Sequence, residues 1–518
     1  MRPVGVVTSG AKVSLAPALI FKHAEESALE EALVVIEDEA AGKRYLGVLR
    51  WLNRQDPLLK HTQRSAVVDK PELAGSGAHI PFEYAYVKII GELTGGRVTP
   101  PRTPPTPRSV IKLIESPSDI SLALDTERGL VVGKHKHSGV EIPMSALTIP
   151  YHVGVVGATG TGKSRLVKAL IDEIMAKTGY SVIVFDHSGM DYTRYWPQRV
   201  VNSSNIVLDP PMAASLIVDR ARLGKGSYQL EYVLTTIYAY AAAASRKRSG
   251  GRGRQRSLWE YAGREEQEAA TGGVECGDAV LEELEEAELG DPEDMMRSVS
   301  WDTDSFIKCL TTVAKKLNAK APTLIKMRLL LKTYGKPIIE SLNKRKITSA
   351  EVIERAKRDG LVVIDLSGEE QVVKRHVVAA VIDRLWARIE EGREPQNIVI
   401  VIDEAHNYAC QQGCGPSSNS IERVAREGRK WGLGLILASQ RMIDIATDVR
   451  GNVNTYFFSR LQTPGDFASL AGVIDLGGLS ESSLSLLESR EFFFAGLGNP
   501  LKYPLLIEVR EVEDPGKQ

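Results

Sequence analysis

The 518-residue chain is predicted to be an α/β protein: a parallel sheet served by a phosphate-binding loop, with a β-barrel before it and a helical insertion within it. Three observations carry that prediction. Gly157-Ala158-Thr159-Gly160-Thr161-Gly162-Lys163-Ser164 fits G-x-x-x-x-G-K-[ST] without a mismatch. Beyond it, five apolar segments separated by helical stretches read as buried parallel strands. Before it, short strands at close spacing suggest a small barrel. Together they predict a P-loop NTPase of RecA-like type.

The N-terminal part, residues 1–112, is β-rich. Ala32 to Ile36 and Tyr45 to Leu49 are strands flanking a turn at Asp38 to Lys43, which is a hairpin pattern. Tyr84 to Ile90 is a further strand. Pro100 to Pro107 holds five prolines, which cannot donate to a ladder. It reads as an extended connection from barrel to motor, or a strap across the motor. Residues 113–147 are a transition in which His135 and His137 are expected as exposed loop histidines.

The motor is expected over 148–208 and 356–498. Val153 to Val156 is short and apolar, and Leu166, Val167, Leu170, Ile171 and Ile174 follow the loop at helical spacing. The five later strands are Ser181–Asp186, Leu361–Leu366, Asn397–Glu404, Gly434–Gln440 and Thr455–Arg460. Residues 209–355 break the rhythm as a helical insertion, with helices at Tyr228–Ala244 and Phe306–Leu317. A charged block at 246–300 opens with six basic residues in Arg246–Arg256 and continues with thirteen acidic ones in Glu265–Asp294. Such blocks are usually solvated, and the basic run is a candidate for DNA phosphates.

The chemistry follows from residue types. Glycines let successive N–H groups face anionic oxygens, and the following helix N-terminus adds partial positive charge. Gly157, Ala158, Thr159, Gly160, Thr161, Gly162, Lys163, Ser164 and Arg165 therefore form the expected ATP-binding set. Lys163 would reach the β- and γ-phosphates, and Ser164 with Asp403 would hold Mg2+. Glu404 would polarise the attacking water, and Gln440 would sense the γ-phosphate. Arg429 is favoured as an arginine acting across a subunit interface, with Arg426 and Arg460 as rivals. Asp186 and His187 face either the nucleotide or a DNA-coupling loop.

Composition bounds the rest. With 65 Lys+Arg against 66 Asp+Glu, net charge points to no partner, so any nucleic-acid site must be a local basic surface. No apolar run approaches a membrane span, and a cytoplasmic protein is expected. Cys276, Cys309, Cys410 and Cys414 lack a zinc spacing even with His406 nearby, and are expected as reduced thiols.

In order along the chain, the barrel, the Gly157–Ser164 loop, the insertion, Ile402-Asp403-Glu404-Ala405-His406, Arg426-Glu427-Gly428-Arg429-Lys430-Trp431-Gly432 and Ser439-Gln440-Arg441 resemble the HerA family of the FtsK–HerA group. Asp186-His187-Ser188-Gly189-Met190-Asp191-Tyr192 departs from the family's Asp-Pro-His-Gly-Glu-Tyr. The resemblance implies a homohexameric ring with ATP between subunits, translocating on double-stranded DNA. It also implies a NurA-type nuclease docked on the barrel for DNA end resection, and a C-terminal brace at 499–518. A nucleotide-switched scaffold and a conjugation- or packaging-type motor are the alternatives.

Overall fold

Alternation builds the barrel. In β5 below, Glu83, Ala85, Val87 and Ile89 are buried while Phe82, Tyr84, Tyr86 and Lys88 are half-exposed, the period-2 pattern of a strand with one face on a core. The structure, a computed structural model, describes residues 1–56, 82–223, 227–249, 276 and 291–513. Most of the charged block, including Arg252–Arg256 and all but Cys276 of the stretch from Glu265 to Gly290, lies outside the described residues. The barrel strands are β1 (Arg2–Val7), β2 (Leu15–Ile20), β3 (Leu33–Asp38), β4 (Lys43–Gln55), β5 (Phe82–Thr94), β6 (Arg97–Thr99) and β7 (Val110–Leu113). They run in the order β2-β1-β7-β3-β4-β5-β6, and a β2–β5 pairing closes six of them into a ring. Val4, Ile20, Val34, Ile36, Leu49, Val87 and Ile111 fill it. A Cβ on Gly47 would lie 2.4 Å from Val87 Cγ1, so the crossing of β4 and β5 tolerates only glycine there.

The proline segment does not leave the barrel. It joins β6 to β7, and β7 pairs with both β1 and β3. Thr106 pins it, donating from N–H and Oγ1 to the Asp38 carboxylate at 2.8 and 2.7 Å. Proline breaks the ladder only where it stands, and the chain re-enters the sheet at Val110.

Ten more strands follow among the described residues: β8 (Gly133–His135), β9 (Val153–Val156), β10 (Ser181–Asp186), β11 (Val200–Asn202), β12 (Leu361–Asp365), β13 (Ile398–Ile402), β14 (Leu433–Ser439), β15 (Thr455–Phe458), β16 (Glu491–Gly496) and β17 (Leu505–Val509). The chain divides into two compact units. One comprises Met1–Gly179, Ile436–Ile443 and Arg450–Glu513; the other comprises Tyr180–Leu435 and Asp444–Val449.

In the first unit β9 lies parallel between β14 and β15, with Val153 opposite Ile436 and Thr455. β15, β16, β17 and β8 continue antiparallel. Leu505–Val509, within the segment read as a brace, is thus a strand bonded on both sides by its own chain. Arg50 of β4 joins the barrel to the loops around β17. Its side chain is 1% exposed, and all five N–H groups find acceptors. It grips the Glu31 carboxylate at 2.8 and 2.9 Å and donates to Gly477 O, Tyr503 Oη and Pro504 O. The histidine expectation is corrected here. His135 is 1% exposed, with Nε2 3.0 Å from Glu31 O and Nδ1 3.0 Å from Ser138 Oγ. Burial holds its pKa down at about 3, so the ring is neutral.

In the second unit β11, β12, β10 and β13 are parallel. Every residue of β13 is buried, as a sheet covered on both faces requires. Helices Ser349–Asp359 and Gln371–Gly392 flank β12 in sequence. The insertion is helical, with Ser227–Ser249, Thr303–Lys316 and Ala321–Leu330 among its members. Tyr240 and Trp301 stack at 5.2 Å in its core, against Phe306. The cysteines are not thiols: Cys276 is bonded to Cys309 and Cys410 to Cys414. Folding brings the Cα atoms to 5.1 and 5.6 Å, within disulfide reach, and for Cys276 the sequence offers no sign of a partner 33 residues away.

Candidate nucleotide site

The phosphate-binding loop is shaped before any ligand arrives. Gly157 N–H donates to Ser439 O at 3.2 Å and Ala158 N–H to Arg460 O at 2.6 Å, so both neighbouring strand ends hold its entry. Thr161 is fully buried; its Oγ1 donates to Ala158 O at 2.9 Å, and its carbonyl accepts from Arg490 N–H at 2.8 Å. Gly160 and Gly162 sit at φ +80° and +98°, and Gly162 caps the helix Lys163–Lys177. An L side chain there costs about 1–2 kcal/mol, which is why this turn is written in glycine.

Side chains finish the cradle. Lys163 Nζ lies over the loop, donating to Gly157 O at 2.8 Å and Ala158 O at 3.2 Å. Thr159 Oγ1 donates to Gln440 Oε1 at 2.8 Å, so Gln440 touches the tip of the loop. An ammonium held over a glycine turn at a helix N-terminus fits a polyphosphate. Ser164 and Arg165 occupy the first turn of the helix, half-exposed. Arg460 is tied through its carbonyl to the phosphate loop, and its Nε is buried without a hydrogen-bond partner among the described residues.

The second unit carries acid. Asp403 and Glu404 close β13, and Asp403 is 5% exposed. One ligand oxygen each from Asp186, Asp191 and Asp403 come within 4.8 Å of one another. Asp186 is fully buried at the end of β10, where its carboxylate accepts from the N–H groups of Gly189, Tyr192 and Thr193 at 2.9, 2.8 and 3.1 Å. It thereby folds the following loop and points Asp191 inward. Burial, then the charges of Asp191, Glu404 and Asp186, hold the Asp403 carboxyl well above the usual range. Three crowded carboxylates fit a hard divalent cation such as Mg2+, which would relieve their repulsion.

His187 is half-buried, its Nδ1 2.7 Å from Tyr408 Oη. Burial and the nearby Lys374 charge lower its pKa. Lys374 Nζ donates to His187 O at 3.0 Å, and the charges of Asp365 and Asp186 counter the effect of its burial. Glu404 has φ +45° and lies 3.4 Å from His406 Nδ1. Arg429, on the turn Gly428–Trp431, and Arg426, 3.2 Å from Glu422, are both exposed. The sequence reading missed Asp191 as a partner of Asp403, together with Lys374 and Tyr408. Asp191 lies five positions after Asp186, the one signal that could have flagged it.

Residues 130–385 match the model for "Helicase HerA, central domain". Over that span, about half of its length, the chain matches the HerA family. Similarity to curated relatives extends well past that domain. The DNA double-strand break repair helicase HerA of Sulfolobus acidocaldarius is 23% identical over 98% of this chain and 93% of its own length. Its counterpart from Sulfurisphaera tokodaii is 21% identical over 91% and 86%. That of Pyrococcus furiosus is 22% identical over 83% and 79%. At 98% of this chain, the match to the Sulfolobus acidocaldarius protein takes in the barrel as well as the phosphate loop. Among the described residues no helix is long and apolar enough to cross a membrane.

Proposed function

We propose that this HerA-family chain is an ATP-hydrolysing motor that moves along DNA in double-strand break repair. The observation that carries the reading is the intact loop, with Lys163 over its carbonyls and Gln440 at its tip, in a chain similar to HerA helicases over nearly its whole length. ATP with Mg2+ supplies the phosphoryl chemistry. The loop N–H groups and Lys163 bind and orient the phosphates. Ser164 and Asp403 are assigned the metal, and Glu404 the positioning of water for in-line attack. Arg429 is assigned to the site of a neighbouring subunit in a hexameric ring. The barrel is the proposed docking face for a NurA-type nuclease, a reading that rests on the family resemblance.

Phosphate contacts are blind to sequence, so such a motor depends on salt and not on the base order of its track. Release of a third strand from a triplex by a motor advancing on the duplex tests the reading. Wild type is expected to release it only with ATP, and Lys163→Ala not at all. Wild type that hydrolyses ATP without releasing the strand would support the nucleotide-switched scaffold instead.

A further inference from the structure

Residues 308–346 of the insertion carry eleven basic residues and one acidic residue, Glu340, in a chain whose 65 basic and 66 acidic residues otherwise balance. Ten of the eleven are exposed; only Arg345 is buried, where it pairs with Glu369 at 2.9 Å. Solvated helices usually mix signs, because opposite charges three or four residues apart support each other. Lys336 reaches Glu340 at 3.8 Å, and Asp302 lies close enough to Lys308 and Lys336 for their charges to help lower its pKa. Among the described residues, none of Lys315, Lys320, Lys326, Arg328 and Lys332 is in an ion pair.

The helical path gives these charges a shape. Ala321–Leu330 continues through the wider turn Leu331–Gly335 into Lys336–Ser341. Leu324, Met327, Leu331, Gly335 and Ile338 form its buried stripe. Arg328, Lys332 and Lys336, four residues apart, line one flank of the same path over about 12 Å. Like charges such as Arg328 and Lys332 at that spacing destabilise a helix slightly, a cost that a polyanion laid along the path would offset.

We infer that this lysine-rich arm is a contact surface for the phosphate backbone of duplex DNA. The inference rests on the proposed function and adds the residues through which the track is held. Lys326, Arg328 and Lys332 are the central contacts. They act as point charges on phosphates without base readout, so their loss weakens all duplex sequences alike.

The test uses the full-length protein and a random-sequence duplex, with binding titrated across a salt series. Each lost phosphate contact flattens the slope of log K against log[salt] by about 0.9. Lys326→Ala/Arg328→Ala/Lys332→Ala, which favours the helix, is expected to flatten it by about 2–3 and to leave ATP hydrolysis without DNA unchanged. Lys12→Ala/Lys22→Ala/Arg102→Ala, with the same change of net charge on the barrel, is expected to keep the wild-type slope. An arm variant with the wild-type slope and affinity overturns this inference and leaves the function standing. Wild type that fails to bind duplex even at low salt overturns the function and this inference with it. Equal flattening by both variants overturns the assignment to the arm in favour of diffuse charge.

Discussion

The phosphate loop and the carboxylate cluster are built in opposite ways. The loop is suited to an anion through its backbone, with glycines at +80° and +98° within eight contiguous residues. The cluster is suited to a cation and is made of side chains from the ends of β10 and β13, more than two hundred positions apart in the chain. A loop held by backbone geometry has little charge of its own to balance. A cluster of three acids carries repulsion that the fold must hold in check, here through three N–H groups on Asp186 and Lys374 close by.

Substitutions can break that contrast. The largest effect is expected in the loop: Lys163→Ala should cut the ATP hydrolysis rate by a factor of about 100 to 1,000, the scale of losing one positioned charge at a transition state. Circular dichroism should show an unaltered fold, since the carbonyls it leaves, Gly157 O and Ala158 O, can turn to water. In the cluster the first effect is structural. Asp186→Ala orphans the N–H groups of Gly189, Tyr192 and Thr193, and chemical denaturation should show a loss of about 2–3 kcal/mol. If Asp186→Ala left stability intact and only raised the Mg2+ requirement, its capping role would be wrong.

The smallest effect separates charge from shape. The Asp403 carboxyl is raised in the folded state, so between its unfolded and folded pKa values the folded protein holds more protons than the unfolded one. Its contribution to stability therefore falls as pH rises through that window. Metal-free Asp403→Asn is expected to be the more stable protein at neutral pH and to lose the advantage near pH 4. Mg2+ should stabilise wild type and leave Asp403→Asn unmoved. Thermal unfolding with and without Mg2+ reads both.

The same contrast explains what could be read from sequence. The loop was legible because its function is local, and the buried strands because apolar runs such as Ile398–Ile402 have no other stable use. Asp403-Glu404 was legible as a strand end. Its partner Asp191 was not, because a loop held by one buried acceptor leaves no periodic pattern. The proline segment misled for a related reason: it marks a break in the ladder and hides that β7 resumes it between β1 and β3. His135 was misread because burial there comes from Glu31 and Ser138, the first of them in the distant barrel. The Cys276–Cys309 bond has the same cause, a contact made by folding and invisible in spacing.

The loop and Asp403-Glu404 are proposed to drive work on DNA. The most direct measurement is the ATPase rate with and without duplex DNA, for wild type and Glu404→Gln. Strong stimulation of wild type by duplex, with Glu404→Gln inactive under both conditions, is the predicted result. A wild-type rate indifferent to DNA, or a Glu404→Gln rate equal to wild type, would contradict it.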